Sequence, residues 1–378
     1  MRIGLLTYYG DLNCGTNLQA YATLKAVKNV FPEDNVEIIP FHGFTPPDVK
    51  PYFYNCSPFS LYRDCRRILG YKRFVKCYLG IDKDVVIKDP KLGLDYLESL
   101  SYDRIYVGAD TLLELDRIPK KYDGLSAYWL SPKIPSKKYL ISASSKNVSY
   151  DSLTDKQRED MRACVLNYDG ITVRDKSSYS LITRFVDESK VKIIPDPTFT
   201  LEIDYRFTDN YIKRRNLDLS NTICLHPLKD DKWTRGFARL LKKKGYKVAS
   251  FRPAYWADIE LNDMTPLEQL GIYRYFVCFI THRFHDTVFC IKNNCPVISY
   301  PVSMEYTDKN GNSKYSTLLD HFGLKDLCLV TDRKKIVPLE LFKQMERVIL
   351  EYPSFSESIN VVINEIKQQY MDTLFATK

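Results

Sequence analysis

The chain runs to 378 residues and 44.1 kDa, and at roughly 100–200 residues per domain that length predicts two domains. With 44% hydrophobic and 27% charged residues its composition is ordinary globular, which excludes a disordered, collagen-like or coiled-coil chain. A net charge of +8 fits either a mildly basic, solvated surface or a site for an anion, and the 28 tyrosines suit either half-buried packing or a cleft for partly polar ligands.

Short apolar runs alternate with longer amphipathic stretches, the pattern of βαβ units around parallel sheets. Arg2 to Tyr8 reads as a strand, Asn17 to Val30 as a helix with Leu18, Tyr21, Leu24 and Val27 on one face, and Val36 to Phe41 as the next strand. Residues 42–60 read as a Pro- and aromatic-rich loop, and 58–80 as a basic, aromatic helix. Strands are expected at Asp103 to Val107, Lys138 to Ala143, Gly170 to Val173 and Val191 to Ile194. Helices are expected over Thr154 to Leu166, where Thr154 and Gln157 form a capping box, and over Ser177 to Phe185. Pro195-Asp196-Pro197 ends this block, and the polar stretch 198–220 reads as an inter-domain linker. A second series has strands at Thr222 to Leu225, Lys247 to Phe251, Phe276 to Thr281, Val297 to Tyr300 and Cys328 to Val330. Its helices are Thr234 to Lys244, Pro266 to Tyr275, His285 to Lys292 and Tyr315 to His321. Leu339 to Tyr370 reads as two helices broken at Pro353. The fold class is therefore α/β: two Rossmann-like domains, residues 1–205 and 206–338, face across a cleft, and a helical tail, 339–378, packs back across them.

Ten cysteines are scattered without a C-x-x-C pair, which points to reduced thiols in a cytoplasmic protein and away from a zinc site. No motif requires a metal or a cofactor. The first residues lack the apolar segment of a signal peptide, and no run approaches the ~18–20 apolar residues of a membrane span. Asn55-Cys56-Ser57 and Asn147-Val148-Ser149 match the glycosylation pattern, by chance in a cytoplasmic chain.

In doubly wound sheets ligands sit beyond the carboxyl ends of the strands, so the residues there carry the functional argument. The strand ending at Thr281 runs into His282-Arg283-Phe284-His285-Asp286 at the start of a helix. A helix N-terminus, a guanidinium and an imidazole together suit a phosphate or carboxylate, and a histidine carries a proton near neutral pH. The plainer alternative has Arg283 neutralised by a nearby carboxylate and His285 capping the helix. Val173-Arg174-Asp175 repeats the pattern, so Arg174 and Arg283 would flank one doubly anionic ligand if the two blocks face each other; alternatively Asp175 neutralises Arg174. The turn after the first strand, Asn13-Cys14-Gly15-Thr16-Asn17-Leu18-Gln19, is not the dinucleotide pattern G-x-G-x-x-G. It suits hydrogen bonding to hydroxyls or an anion, with Asn17 alternatively a simple cap. Asp110, closing Gly108-Ala109-Asp110, either accepts a hydroxyl proton or caps a turn.

Over roughly residues 1–330 these motifs resemble, in order, those of the polysaccharide pyruvyltransferase family. Asn13 to Ala22 is similar to its N-x-G-x-x-L-Q-A-Y-A pattern, Val107-Gly108-Ala109-Asp110 to V-G-S-D, and Ser142-Ala143-Ser144 to the A-A-S-F-G strand. Val173 to Ser177 is similar to V-R-D-x-x-S, Pro195 to Thr198 to P-D-P-T, and Thr281 to His285 to S-x-R-x-H. Cys295 to Ile298 with the later Lys314 is similar to G-x-P-V-I and a downstream lysine. The chain departs from the pattern where Asp286 stands for a frequent glycine, where Thr111-Leu112-Leu113 follows Asp110, and where Ser145-Lys146 replaces Phe-Gly.

The resemblance implies a GT-B-like fold. It implies transfer of the pyruvyl group of phosphoenolpyruvate to two hydroxyls of a sugar in a surface polysaccharide or its lipid-linked precursor, with a cyclic ketal formed and phosphate released. Arg174, Arg283, His285 and Lys314 would hold the donor, His285 would protonate the enol methylene, and Asp110 would be the base on the acceptor hydroxyl. Asn13, Gly15, Asn17 and Gln19 would meet the acceptor. The expected partners are phosphoenolpyruvate and a sugar, without nucleic acid. The basic stretch Tyr62 to Tyr78 (Arg63, Arg66, Arg67, Lys72, Arg73, Lys76) suits either the inner face of an anionic membrane or an exposed helix. Two alternatives stand beside this reading. One is a nucleotide-sugar glycosyltransferase on the same fold, against which Ser299 to Glu305 lacks a Gly-x-x-Glu turn. The other is a carbohydrate-binding relative without catalysis.

Overall fold

The structure is a computed structural model in which residues 1–43, 58–116, 118, 122–146, 148–227, 231–300, 313–330 and 337–378 are described. The first half comprises β1 (Arg2–Leu6), α1 (Cys14–Val30), β2 (Asn35–Ile38), β3 (Phe41–His42), α2 (Pro58–Phe74), β4 (Val85–Val86), α3 (Pro90–Ser99), β5 (Arg104–Val107), β6 (Lys137–Ala143), α4 (Asp155–Leu166), β7 (Gly170–Val173), α5 (Lys176–Ile182) and β8 (Val191–Ile193). The second comprises α6 (Tyr205–Arg215), β9 (Thr222–His226), α7 (Lys232–Lys243), β10 (Lys247–Ser250), β11 (Ile259–Glu260), α8 (Pro266–Ile272), β12 (Cys278–Thr281), α9 (Phe284–Lys292), β13 (Val297–Ser299), α10 (Lys314–His321) and α11 (Lys325–Cys328). The tail is α12 (Pro338–Glu351) and α13 (Ser356–Phe375).

Two large sheets result, ordered β2-β1-β5-β6-β7-β8 and β11-β10-β9-β12-β13, beside a small β3-β4 pair, with parallel pairing throughout both large sheets. Central strands such as β5 and β9 are buried along their whole length, as apolar runs covered on both faces should be. The strand order reverses between β1 and β5 in one sheet and between β9 and β12 in the other. Crevices open at such switch points, beyond the carboxyl ends of the strands.

One face of the first sheet packs under Leu97 of α3, Trp129, Met161 of α4 and Leu181 of α5. On its other face α1 brings Leu18, Leu24 and Val27 into a core continuous with Phe237 and Leu241 of α7, Val348 of α12 and Ile366 of α13. The tail therefore spans both halves: α12 lies on α7 and α13 returns to α1, where Tyr106 Oη of β5 meets Thr377 Oγ1 at 2.5 Å.

Several local expectations change. Helix α1 starts at Cys14 because Asn13 Oδ1 accepts from Gly15 N at 3.1 Å, so Asn17 lies inside the helix. The stretch 198–220 holds a 3₁₀ turn and α6 rather than a linker. Its charges disguised Thr208 and Tyr211, which are buried in a helix packed on α8. Cys328 closes the helical turn α11, and only Leu329 of the expected last strand pairs, with Ser299. The Thr154 capping box is present, with Gln157 N donating to Thr154 Oγ1 and Thr154 N to Gln157 Oε1, both at 3.1 Å.

Three arginines of the basic helix α2 hold the protein together rather than face outward. Arg63 reaches Glu260 at 2.9 Å, Arg66 reaches Glu268 at 2.6 Å, and Arg67 donates to Leu12 O at 2.8 Å. Most of the loop expected over 42–60, both Asn55 and Asn147, and residues 301–305 lie outside the described residues. Among the described residues no helix is long and apolar enough to cross a membrane.

Candidate functional site

The two switch points face each other across a cleft of about 720 Å³, lined by Asn13, Gly15 and Asp110 from the first half and by Arg283, His285 and Lys314 from the second. Its volume lies in the range of ligand pockets, ~300–1,000 Å³.

Asp110 is placed by a turn after β5. Gly108 has φ 150°, and a Cβ there would stand 1.9 Å from Ile141 O, so a larger residue would push β5 off β6. Asp110 itself takes φ 75°, a left-handed conformation that Asp tolerates better than most residues. Its carboxylate accepts from Thr111 N at 2.8 Å and from Thr16 Oγ1 at 3.3 Å, and lies 3.7 Å from Arg174 Nη2. Arg174 Nη1 bonds to Asp196 Oδ2 at 3.0 Å, and the guanidinium lies over the Phe284 ring, 4.6 Å from its centre. Asp196 is fully buried. It accepts from Thr198 N and Oγ1 at 3.0 and 2.7 Å, and stands 3.4 Å from His285 Nε2.

A chain of ionisable groups thus runs from Asp110 at the cleft, through Arg174 and Asp196 behind its wall, to His285. Burial alone would raise the Asp110 carboxyl, but Arg174, His285 and Lys314 hold it below the usual range. Asp196 is likewise pulled down, against its burial, by His285 and Arg174. Burial, reinforced by Arg174, brings the Lys314 ammonium down to about 8.

The N-terminus of α1 touches this chain of charges. A Cβ on Gly15 would fall 2.2–2.4 Å from the His285 ring, so only glycine lets the helix and the imidazole meet. On the other side, Arg283 N donates to Thr281 Oγ1 at 2.9 Å. The Arg283 guanidinium has no hydrogen-bond or ion-pair partner among the described residues, so the alternative in which a carboxylate pairs with it is not seen among them. Among those residues no group of three or more His, Cys, Asp or Glu is gathered closely enough to hold a metal ion.

The structure separates the expected site residues. Asn13, Gly15, Asp110, Arg283, His285 and Lys314 line the cleft. Arg174 stands behind its wall with a side chain 1% accessible. It pairs there with Asp196 and Asp110, and not with Asp175, which caps α5 through Ser178 N at 2.8 Å. Asn17 and Gln19 are fully buried and shape the turn instead of meeting an acceptor. Asn17 Nδ2 donates to Asp11 O and Asn13 O at 2.6 and 2.8 Å, and Gln19 Nε2 to Thr7 Oγ1 at 3.1 Å.

One cleft group escaped the sequence reading. His226, the last residue of β9, hydrogen-bonds through Nδ1 to Asp286 Oδ2 at 2.6 Å. Asp286 also accepts from the Tyr273 and Thr281 hydroxyls, each at 2.9 Å. Burial lowers the His226 imidazole to about 4 although Asp286 pulls it upward. The available signals were a histidine at a strand end and an acidic residue where the resembled pattern has glycine.

Solved structures with the same arrangement of two sheets include S. aureus MnaA with UDP, at 8% identity over 93% of this chain and 88% of that one, with TM-score 0.50. The Methanocaldococcus jannaschii UDP-GlcNAc 2-epimerase in complex with UDP-GlcNAc and UDP is 11% identical over 92% and 93%, with TM-score 0.50. Anabaena Alr3699/HepE in complex with UDP is 10% identical over 100% of both, with TM-score 0.51. At such identities the likeness defines the fold alone, an α/β fold of the GT-B-like class with a helical C-terminal tail. No curated protein matches the sequence. The pattern of the polysaccharide pyruvyl transferase family matches residues 13–303, and the chain belongs to that family.

Proposed function

We propose that the protein transfers the pyruvyl carbon of phosphoenolpyruvate to two hydroxyls of one sugar, forming a cyclic ketal and releasing phosphate. The sugar would belong to a surface polysaccharide or its lipid-linked precursor, met at the cytoplasmic face of a membrane. The observation that carries the reading is the Arg283 guanidinium, without a partner among the described residues, beside His285 at the N-terminus of α9, across the cleft from Asp110. A guanidinium and free helix N–H groups suit the phosphate and carboxylate of the donor, and Lys314 adds charge on the same wall. His285, beside the Asp196 carboxylate, delivers a proton to the methylene carbon and makes the neighbouring carbon electrophilic.

Arg174, His285 and Lys314 hold the Asp110 carboxyl below the usual carboxylate range, which favours a hydrogen-bond acceptor over a base. Its role in this reading is to accept a hydrogen bond from the acceptor hydroxyl and orient it, with Arg174 positioning Asp110 and Asp196 from behind.

A melting-temperature panel with phosphoenolpyruvate, UDP, GDP and CMP tests the donor class. A true ligand at about a hundredfold excess over Kd stabilises by ~2.7 kcal/mol. Phosphoenolpyruvate should stabilise and the nucleotides should not. The opposite result would replace the reading by a nucleotide-sugar transferase. Turnover unchanged in His285→Ala would remove the acid role.

A further inference from the structure

We propose that His226, held by Asp286, is a second acid–base residue of the cleft and gives its proton to the departing phosphate. The inference rests on the pyruvyl-transfer reading. That reaction moves two protons. Each of two sugar hydroxyls loses one; one proton ends on the methylene carbon and the other on phosphate. At the central carbon the π bond and the bond to the phosphate oxygen break, and two bonds to sugar oxygens form. The π electrons take the first proton, and the departing oxygen leaves with its electron pair and needs the second. One imidazole beside a carboxylate, His285, serves the carbon. The phosphate oxygen calls for another donor.

His226 has the construction of such a donor. Its Nδ1 is occupied by Asp286 at 2.6 Å, and that carboxylate is itself fixed by Tyr273 and Thr281. The ring is thereby oriented with Nε2 as the nitrogen left for a ligand, and His226 lines the cleft along with Arg283. A buried carboxylate behind an imidazole fixes its tautomer and stabilises its charged form. His282 also lines the cleft, but its Nδ1 meets only a carbonyl, His226 O at 2.8 Å. The charged and titratable groups facing His226 are Asp286 on α9, Arg283 and His282 after β12, and Arg252 after β10. Burial, Arg283 and Arg252 favour the neutral ring. A phosphate beside Arg283 offsets those positive charges and lets the ring take up a proton, so the acid is charged when the group it serves arrives.

Histidine ring-nitrogen NMR on the full chain tests this directly. Wild type, His226→Gln and Asp286→Asn are titrated near neutral pH with inorganic phosphate and then with phosphoenolpyruvate, the His226 signals being assigned by their loss in His226→Gln. In the wild type the His226 nitrogens should change from the neutral to the protonated pattern on binding. The change should be lost in Asp286→Asn, and His226→Gln should bind phosphate about tenfold more weakly or worse, the loss of one charge-assisted hydrogen bond. Wild-type protein that binds phosphate or phosphoenolpyruvate while His226 keeps its neutral pattern overturns the inference and leaves the transfer reading standing. Wild-type protein that binds neither overturns both. If His226→Gln fails to fold, His226→Asn supplies the assignment, and the wild-type titration then decides.

Discussion

Arg174 and Arg283 stand at corresponding places in the two halves, each one or two residues beyond a parallel strand and just ahead of a helix. Their fates differ because of what neighbouring strands supply. Beside β7, the turn after β8 brings in Asp196, and the turn after β5 brings in Asp110, so Arg174 is enclosed and neutralised. Beside β12, the strand end of β9 brings His226, which hydrogen-bonds to Asp286 at the start of α9. Arg283 is left half-buried, with no ion-pair partner of its own among the described residues. The first arginine is architecture under the site; in the reading proposed above, the second is a charge held ready for an anion.

The largest expected effect separates them most sharply. Arg174→Met leaves Asp196 and Asp110 without their cation, and breaking a buried ion pair from one side costs about 3–5 kcal/mol. Urea unfolding should show that loss. A variant of normal stability that no longer binds phosphoenolpyruvate would instead make Arg174 a ligand clamp and erase the contrast. Arg283→Ala should do the reverse. Charge-assisted hydrogen bonds contribute about 1.5–3 kcal/mol, so affinity for phosphoenolpyruvate should fall roughly tenfold to a hundredfold, while stability stays within about 0.5 kcal/mol. Unchanged affinity would deny Arg283 its role.

Gly15→Ala tests the contact through which the first half meets His285. In a helix alanine is favoured over glycine by about 1 kcal/mol, but here the added carbon collides with the imidazole, and overpacking costs about 1–3 kcal/mol. The two terms leave between zero and about 2 kcal/mol of destabilisation while the ring is displaced. The expected outcome is a melting temperature shifted by only a few degrees and a clear loss of phosphate release. A variant that is both stabilised and fully active would show that His285 need not sit against α1.

The contrast also marks what the sequence discloses. The apolar strand runs, and with them both arginines at strand ends, are legible because burial on both faces imposes continuous apolar segments. The Thr154 cap is legible because its partner is three residues away. What decides each arginine's state is not local. Asp196 reads as a turn residue between two prolines, and its partners Arg174 and His285 come from two other strand ends. His226 closes an ordinary strand, 60 residues before Asp286. Likewise α6 reads as a linker because its only buried residues are Thr208 and Tyr211, too few for an amphipathic stripe, and its arginines find acceptors on and beside α8 through tertiary structure.

Acid distinguishes the two regions by a smaller margin. Around Arg174 the shifted groups that titrate in acid are the carboxyls of Asp110 and Asp196, held below their ordinary 3.8; the stability they contribute is present above that value and is lost only as pH falls below it. Around Arg283 Asp286 is likewise held below 3.8, but His226 is lowered from 6.5 to about 4. Between those values the unfolded chain binds more protons than the folded one, so stability declines as pH falls through that window. His282, brought down to about 3 mainly by burial, acts in the same direction. The Arg283 region should therefore weaken first on acidification. For His226 alone the linkage amounts to about 1 kcal/mol between about pH 7.5 and about pH 6. Urea unfolding at those two values in phosphate-free buffer should show the wild type losing about that much more than His226→Gln. Equal losses would mean that His226 is already charged in the folded protein, so that Arg283 faces a second cation and not a neutral ring. Added phosphate should shrink the wild-type loss, because an anion that draws a proton onto His226 raises its folded-state pKa toward the unfolded one.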